Sequence, residues 1–204
     1  MRKRMVEELS KKMISDPKVL DALGQFPRHH FFDGALIEHA YQDKAFPIGA
    51  GQTISRPYTV AHQSQLLEIK KGDKVLEIGT GCGYQTAVLM ILGARVFTIE
   101  RQKDLFQKTK RLLPKLGYRA RFYYGDGYLG KPDFAPFDKI IVTAGAPSIP
   151  EPLKQQLKIG GYLVIPVGSS DEQRMLRLLK TSETDFEVED FGDCSFVPLL
   201  EDKA

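Results

Sequence analysis

An acidic residue and three glycines are spaced two positions apart directly after an apolar segment. Glu77 is followed by Gly79, Gly81 and Gly83, and the segment 75–78 before the first glycine is mostly apolar. Such an apolar run is typical of a parallel strand buried on both faces. Glycine has no Cβ, so the backbone of the turn can lie close against a ligand. The pattern predicts a strand, a glycine turn and a helix at 84–92 that together form a nucleotide-sized pocket.

A second acidic residue strengthens this interpretation. Glu100 closes the next predicted strand, 95–99, and an acid at this place holds the ribose hydroxyls of a nucleoside in doubly wound folds. The alternative for Glu100 is an exposed loop acid. The glycine spacing differs from the G-x-G-x-x-G of dinucleotide sites, which disfavours a nicotinamide cofactor.

The order of the predicted elements gives the fold class. From residue 74 to 168, strands and helices alternate, which predicts an α/β fold with a doubly wound, Rossmann-like, mostly parallel sheet. Apolar segments at 175–179, 186–190 and 194–199 follow without intervening helices and predict antiparallel C-terminal strands. We predict one domain over residues 1–204.

Before the sheet, the sequence predicts a helical layer. Val6, Leu9 and Met13 recur at helical spacing, and a second helix, 17–23, ends at Gly24. A loop rich in Gly and Pro, 45–57, then leads to a helix at 58–69. The domain therefore divides into three parts: N-terminal helices with the active-site loop (1–71), a cofactor-binding core (72–168) and C-terminal strands (169–204).

Composition excludes few classes of function. The chain has 29 basic and 26 acidic residues, a formal charge of +3, which is too even to indicate a polyanionic partner. No apolar stretch is long enough for a membrane helix and no apolar signal segment begins the chain. Two scattered cysteines, Cys82 and Cys194, indicate free thiols in a reducing compartment. We predict a cytoplasmic monomer without nucleic-acid or membrane partners.

Three of the four histidines lie close together in sequence. His29, His30 and His39 could suggest a metal site, but their spacing is poor and no cysteine accompanies them. We predict no metal, and aromatic packing of this segment instead.

The motif acidic-x-G-x-G-x-G resembles the first motif of class I methyltransferases, which bind S-adenosylmethionine. A carboxylate at Glu77 would lie favourably near the methionine ammonium of that cofactor. Several longer segments resemble one family within this class, the protein-L-isoaspartate (D-aspartate) O-methyltransferases. These segments are G-Q-T-I-S-R-P at 51–57, V-L-E-I-G-T-G-C-G-Y-Q-T-A at 75–87, G-D-G at 125–127 and G-G-Y-L-V-I-P-V-G at 160–168.

The resemblance implies a repair enzyme. Such an enzyme transfers the methyl group of S-adenosylmethionine to the α-carboxyl of L-isoaspartyl residues in damaged proteins and peptides, with D-aspartyl residues as a second candidate substrate. The ester then closes to a succinimide that partly reopens to normal aspartate. The resemblance assigns Ser55 to catalysis, and it assigns to cofactor binding Thr53, Ile54, Glu77, Gly79, Thr80, Gly81, Glu100, Asp126 and Gly127.

The chemistry explains why no catalytic triad is visible. A carboxylate of pKa about 4 is ionised at neutral pH and needs no general base, so positioning is the main requirement. Ser55 would orient the substrate carboxylate with a hydrogen bond, or it could cap the helix after Pro57. Arg56 could pair with the same carboxylate or be an exposed loop charge. Cys82 could adjoin the cofactor or simply fill space.

Other classes of function compete with this interpretation. A transfer-RNA methyltransferase would share the core, and its binding would depend steeply on salt concentration. A cofactor-binding regulator that has lost catalysis is disfavoured by the intact glycine turn together with Ser55. An oxidoreductase would need tight nicotinamide binding.

Overall fold

The structure of the chain is a computed structural model that describes residues 1–32, 34–169 and 171–202, without the side chain of Ala35. Asp33, Ser170, Lys203 and Ala204, which the predicted parts 1–71 and 169–204 include, lie outside the described residues. The helices are α1 (Arg2–Ser10), α2 (Pro17–Gln25), α3 (Pro57–Leu67), α4 (Tyr84–Ile91), α5 (Lys103–Lys115) and α6 (Glu151–Gln155), with short 3-10 helices at Arg28–Phe31, Gly34–His39 and Pro132–Phe134. The strands are β1 (Phe46–Gly49), β2 (Gln52–Ile54), β3 (Lys74–Ile78), β4 (Arg95–Glu100), β5 (Arg121–Tyr124), β6 (Phe137–Val142), β7 (Leu157–Gly168), β8 (Gln173–Lys180) and β9 (Phe186–Cys194).

A seven-stranded sheet with the order β5-β4-β3-β6-β7-β8-β9 forms the centre of the fold. The strands from β5 to β7 run parallel to their neighbours, whereas β8 is antiparallel to both β7 and β9. The prediction of a mostly parallel sheet with antiparallel C-terminal strands is confirmed. The order reverses beside β3, because the chain continues to β4 on one side and returns to β6 on the other. Ligands of doubly wound folds bind at the carboxyl ends of the strands at such a reversal.

Strand β3 is buried on both faces, as its apolar sequence predicted. Val75 packs on one face against Leu66 of α3 and Leu89 of α4. Leu76 and Ile78 belong to the cluster on the other face, together with Leu153 of α6. Successive side chains of a strand point to opposite faces, so β3 contributes to the apolar clusters on both faces of the sheet.

The N-terminal helical layer is present, but two of its details were predicted wrongly. Met5 and Leu9 are the buried residues of α1, and Met13 is 76% exposed after the helix has ended. Helix α2 continues through Gly24 to Gln25. The aromatic segment that follows packs as predicted, because Phe31 and Phe32 lie in the apolar cluster that the N-terminal helices form with α4.

The secondary structure differs most from the prediction in two segments that contain several glycines. The loop predicted at 45–57 contains the antiparallel hairpin β1–β2, whose tight turn includes Ala50 in a left-handed conformation. Gly160 and Gly161 lie inside β7 at an irregularity of its pairing with β6, not before the strand.

The prediction of a third C-terminal strand at 194–199 is wrong. Strand β9 ends at Cys194, and the rest of the segment makes only an isolated bridge between Pro198 and Gly145. Proline has no N–H for a strand ladder. Among the described residues, no helix is both long and apolar enough to cross a membrane.

Candidate active site

A cavity opens at the carboxyl ends of β3, β4 and β6. This position is the reversal point of the sheet, where ligands of doubly wound folds bind. The lining comes from the hairpin and the start of α3, from the glycine turn and α4, from the ends of β4 and β6, and from the C-terminal segment. Its residues are Gln52, Thr53, Ile54, Ser55, Val60, Ile78, Gly79, Thr80, Gly81, Cys82, Tyr84, Gln85, Ile99, Glu100, Arg101, Gly127, Thr143, Ala144, Val197, Pro198, Leu199 and Leu200.

Gly79 begins the turn under tight steric constraint. Its φ is +92°, and a Cβ there would collide with Oγ1 of Thr143. The same hydroxyl donates hydrogen bonds to the carbonyls of Ile78 at 2.9 Å and of Gly79 at 2.7 Å. The turn and the end of β6 are therefore closely joined, and only glycine fits at this position.

Glu100 and Thr109 hold the peptide groups of Gly81 from two directions. The Gly81 N–H donates to Oε2 of Glu100 at 2.8 Å, and Oγ1 of Thr109 on α5 donates to the Gly81 carbonyl at 2.6 Å. The other Glu100 oxygen accepts the N–H of Gln102 at 2.8 Å. An ionised carboxylate has about four acceptor positions, so Glu100 retains capacity toward the cavity that it lines.

Glu77 does not line the cavity. It is fully buried, and its Oε2 accepts a hydrogen bond from Oγ1 of Thr86 on α4 at 2.5 Å. Burial raises the pKa of Glu77 to about 8. The structure thus places the first acid of the motif between β3 and α4, behind the turn, while Gly79, Thr80 and Gly81 line the cavity.

Ser55 lies between the end of β2 and the start of α3. The N-cap of α3 is Arg56, and the helix receives no side-chain cap hydrogen bond. The capping alternative for Ser55 is therefore wrong. The hydroxyl makes no hydrogen bond within the described part of the chain and lines the cavity together with Thr53 and Ile54. Arg56 is exposed, donates to Thr59 Oγ1 at 3.1 Å and does not line the cavity.

Of the two residues predicted in the G-D-G segment, one lines the cavity and the other does not. Gly127 lines the cavity, whereas Asp126 does not. Oδ1 of Asp126 accepts the N–H of Tyr128 at 2.8 Å, and Oδ2 accepts the N–H of Asp202 at 3.1 Å. The carboxylate thus holds the end of the described chain beside the cavity.

Sequence reasoning missed the C-terminal contribution to the site. Residues 197–200 line the cavity, anchored by mutual backbone hydrogen bonds in which Gly145 donates to Val197 at 2.8 Å and accepts from Leu199 at 2.7 Å. Arg101 donates to the carbonyls of Glu201 and Asp202. The proline in an apolar run was the available signal that this segment is not a strand. Thr143, Ala144 and Gln85 were also missed, although the end of β6 at the reversal of the sheet could have indicated the first two.

Cys82 lines the cavity as a neutral thiol. Burial raises its pKa to about 11, so the thiolate that a nucleophile would need is disfavoured. The histidines that could suggest a metal have other partners: Nδ1 of His29 lies 2.7 Å from the Tyr41 hydroxyl, and Nδ1 of His39 lies 2.8 Å from Nε2 of Gln42.

The fold is Rossmann-like and of the class I methyltransferase type. Its strand order reverses beside β3, a glycine turn follows the carboxyl end of β3, and an acid closes the neighbouring strand β4. Comparison with known proteins identifies the family. The model of the protein-L-isoaspartate(D-aspartate) O-methyltransferase family matches residues 1–204. The chain belongs to this family.

Curated relatives and a solved structure agree with this assignment. Protein-L-isoaspartate O-methyltransferases from Christiangramia forsetii and Flavobacterium johnsoniae are each 61% identical, over 99% and 100% of this chain and 95% of each relative. A β-aspartate methyltransferase from Plasmodium falciparum, solved with S-adenosyl-L-homocysteine, is 26% identical with a TM-score of 0.85 over 98% of both chains. This chain is thus a protein repair methyltransferase that uses S-adenosylmethionine and acts on isoaspartyl residues.

The residues present fit this cofactor. Glu100 retains acceptor positions for hydroxyl groups, and Gly79 leaves the surface of the turn free of side chain. The cavity also presents an open hydroxyl at Ser55 for a second reactant. S-adenosylmethionine, when bound, supplies an activated methyl group.

Proposed function

We propose that Ser55 orients the α-carboxylate of an isoaspartyl residue for methyl transfer in the described cavity. One observation carries this proposal: the Ser55 hydroxyl is uncommitted and shares the cavity with the glycine turn. An O–H group can donate one hydrogen bond to a carboxylate oxygen. Because the carboxylate is already ionised at neutral pH, the residue needs to hold its substrate rather than remove a proton.

Binding of the cofactor is divided among the remaining predicted residues. Glu100 holds the ribose hydroxyls, and the segment Gly79, Thr80 and Gly81 supports the sulfonium end. Thr53 and Ile54 cover the cofactor from the hairpin, and Gly127, which lines the same cavity, lies near the base. We assign Glu77 and Asp126 supporting roles, since each carboxylate is engaged away from the cavity by Thr86 or by Tyr128 and Asp202.

Apolar side chains in the cavity wall meet a further requirement of the reaction, the exclusion of water. Val60, Ile99 and Leu199 line the same cavity, and they exclude water around the reacting atoms, which strengthens the polar contacts made there. Methyl transfer is an in-line displacement that depends on alignment of its reactants. Ser55 on one wall and the glycine turn on the other supply that alignment.

The broader organisation also belongs to this proposal. Residues 1–71 form the substrate-facing layer, 72–168 the cofactor core and 169–204 the C-terminal cover of a single domain. We also propose a cytoplasmic monomer that acts on damaged polypeptides, without nucleic-acid or membrane partners; the near-even charge balance supports the absence of a polyanionic partner. Acceptance of D-aspartyl residues is proposed as a second activity of the same cavity.

Kinetics of Ser55→Ala test the role of Ser55. With an isoaspartyl peptide, we expect kcat to fall by about 10- to 100-fold while the affinity for S-adenosyl-L-homocysteine stays within about twofold. Ser10→Ala serves as a control, because Ser10 is exposed at the end of α1 and its hydroxyl donates to the Glu7 carbonyl, away from the cavity lining. Wild-type turnover in Ser55→Ala would contradict the assignment.

A further inference from the structure

Gln85, the second residue of α4, combines burial with an unsatisfied polar atom. It is 6% exposed, lines the cavity and donates from Nε2 to Oγ of Ser64 at 2.9 Å. Ser64 lies on α3 and is also buried. This bond holds the side-chain amide against Ser64, and within the described residues the amide oxygen, Oε1, has no hydrogen-bond partner.

A buried glutamine away from the cavity is arranged differently. Gln156 is 5% exposed, but its Oε1 accepts the N–H of Lys131 at 2.6 Å and its Nε2 donates to the carbonyl of Leu129 at 2.9 Å. A buried acceptor without a donor costs free energy. Both ends of the amide have partners at Gln156, whereas at Gln85, a residue of the cavity lining, the buried oxygen has none within the described residues.

The position of Gln85 in the fold selects the part of the ligand that it meets. Glu100 closes β4, on one side of β3, whereas Gln85 bonds to α3, which packs against β6 and β7 on the other side. Both side chains line the same cavity from different elements. With the ribose hydroxyls held by Glu100 and the base near Gly127 in the proposed function, the donor that remains for Gln85 is the ammonium of the amino-acid end.

On the basis of the proposed function, we propose that Oε1 of Gln85 accepts a hydrogen bond from the α-ammonium of the cofactor, with Ser64 as the residue that orients the amide. An acceptor must meet a donor, and the ammonium is the donor at the amino-acid end. A hydrogen bond from a charged donor is stronger than a neutral one. This contact discriminates the complete cofactor from nucleosides that lack its amino-acid end.

The test compares binding of ligands that do and do not carry this end. Titration calorimetry gives dissociation constants of S-adenosyl-L-homocysteine and of 5′-methylthioadenosine, which lacks the amino-acid end, for the wild type and Gln85→Leu. We expect the variant to bind S-adenosyl-L-homocysteine about tenfold more weakly and 5′-methylthioadenosine with affinity within about twofold of wild type. Gln63→Leu is the matched control, because Gln63 is buried on α3, bonds to the Val142 carbonyl and does not line the cavity. It should leave the ratio of the two affinities unchanged.

A deaminated analogue of S-adenosyl-L-homocysteine identifies the group that Gln85 contacts. The wild type and Gln85→Leu should bind this analogue equally. Three results for Gln85→Leu would each overturn the proposal. They are an equal loss of affinity for all ligands, an unchanged affinity for S-adenosyl-L-homocysteine, and a weakened affinity for the deaminated analogue.

Ser64→Ala provides a second variant should Gln85→Leu fail to fold. It keeps Gln85 but removes the acceptor that orients the amide. The affinity for S-adenosyl-L-homocysteine should therefore fall about threefold relative to the affinity for 5′-methylthioadenosine. An unchanged ratio in Ser64→Ala would contradict the proposal. Because these are binding measurements, an enzyme that binds the ligands as expected but fails to methylate isoaspartyl peptides would disprove the proposed function and leave this inference intact.

Discussion

The carboxylate of Glu77 accepts a hydrogen bond from the hydroxyl of Thr86 at 2.5 Å, between β3 and α4 and out of contact with the cavity. Burial raises the pKa of this carboxyl to about 8, from 4.5 for an exposed glutamate. The acid that opens the glycine motif is therefore largely protonated at neutral pH. It supports the turn from behind as a neutral group.

Replacing Glu77 by Gln should make stability less dependent on pH. The folded-state pKa is raised, so the stabilisation from Glu77 is complete below about pH 4.5 and is lost as the pH rises to about 8. Relative to Glu77→Gln, the wild type should lose on the order of a few kcal/mol of unfolding free energy across that window. Urea unfolding of both proteins at pH 5 and pH 8.5 measures this difference. Parallel pH dependence in the two proteins would show that Glu77 titrates normally.

Thr109→Val should weaken cofactor binding. The substitution removes the 2.6 Å hydrogen bond to the Gly81 carbonyl while keeping the methyl group that packs near Gly83. Loss of one such bond is worth about 1 kcal/mol, so the dissociation constant of S-adenosyl-L-homocysteine should rise about fivefold. Thr109→Ser keeps the hydroxyl and should restore most of the affinity. If the variants Thr109→Val and Thr109→Ser bind the ligand with equal affinity, the hydroxyl of residue 109 does not position the turn.

Gly79→Ala should abolish cofactor binding and lower the melting temperature. An alanine Cβ would collide with Thr143 Oγ1, which closes the turn against β6. Gly72→Ala is a matched control, because Gly72 has the same φ of +92° and open space around an added Cβ. Both variants carry the backbone strain, so the difference between them isolates the collision. Comparable ligand affinity in the two variants would contradict this account of the turn.

Elements with strong local signals were predictable from the sequence. Strand β3 and its glycine turn follow from an apolar run that meets residues without side chains, and Glu100 follows from its place at the end of β4. The direction of Glu77 did not follow, because a strand buried on both faces gives no alternation to show which side chain meets the cavity. The buried pair of Gln85 and Ser64 joins α4 to α3, and such a contact is specified only by the packing of the two helices.

The hairpin β1–β2 and the segment 195–202 depend on tertiary contacts. The first strand of the hairpin contains Pro47 and Gly49, which weaken its strand signal. Its Ile48 lies near Gly81, so that a Cβ at Gly81 would be 3.3 Å from Ile48 Cδ1. The C-terminal segment is held by Gly145, Arg101 and Asp126. These partners are distant in sequence, and periodicity alone does not reveal them.

The most direct test of the account is methyl transfer from labelled S-adenosylmethionine to two synthetic peptides that differ only in having isoaspartate or normal aspartate at one position. We expect base-labile label on the isoaspartyl peptide alone, since the α-carboxylate of that residue is the group that Ser55 orients. If neither peptide, or the normal aspartyl peptide equally, is labelled while S-adenosyl-L-homocysteine still binds, the methyltransferase site stands and the assignment of its substrate is contradicted.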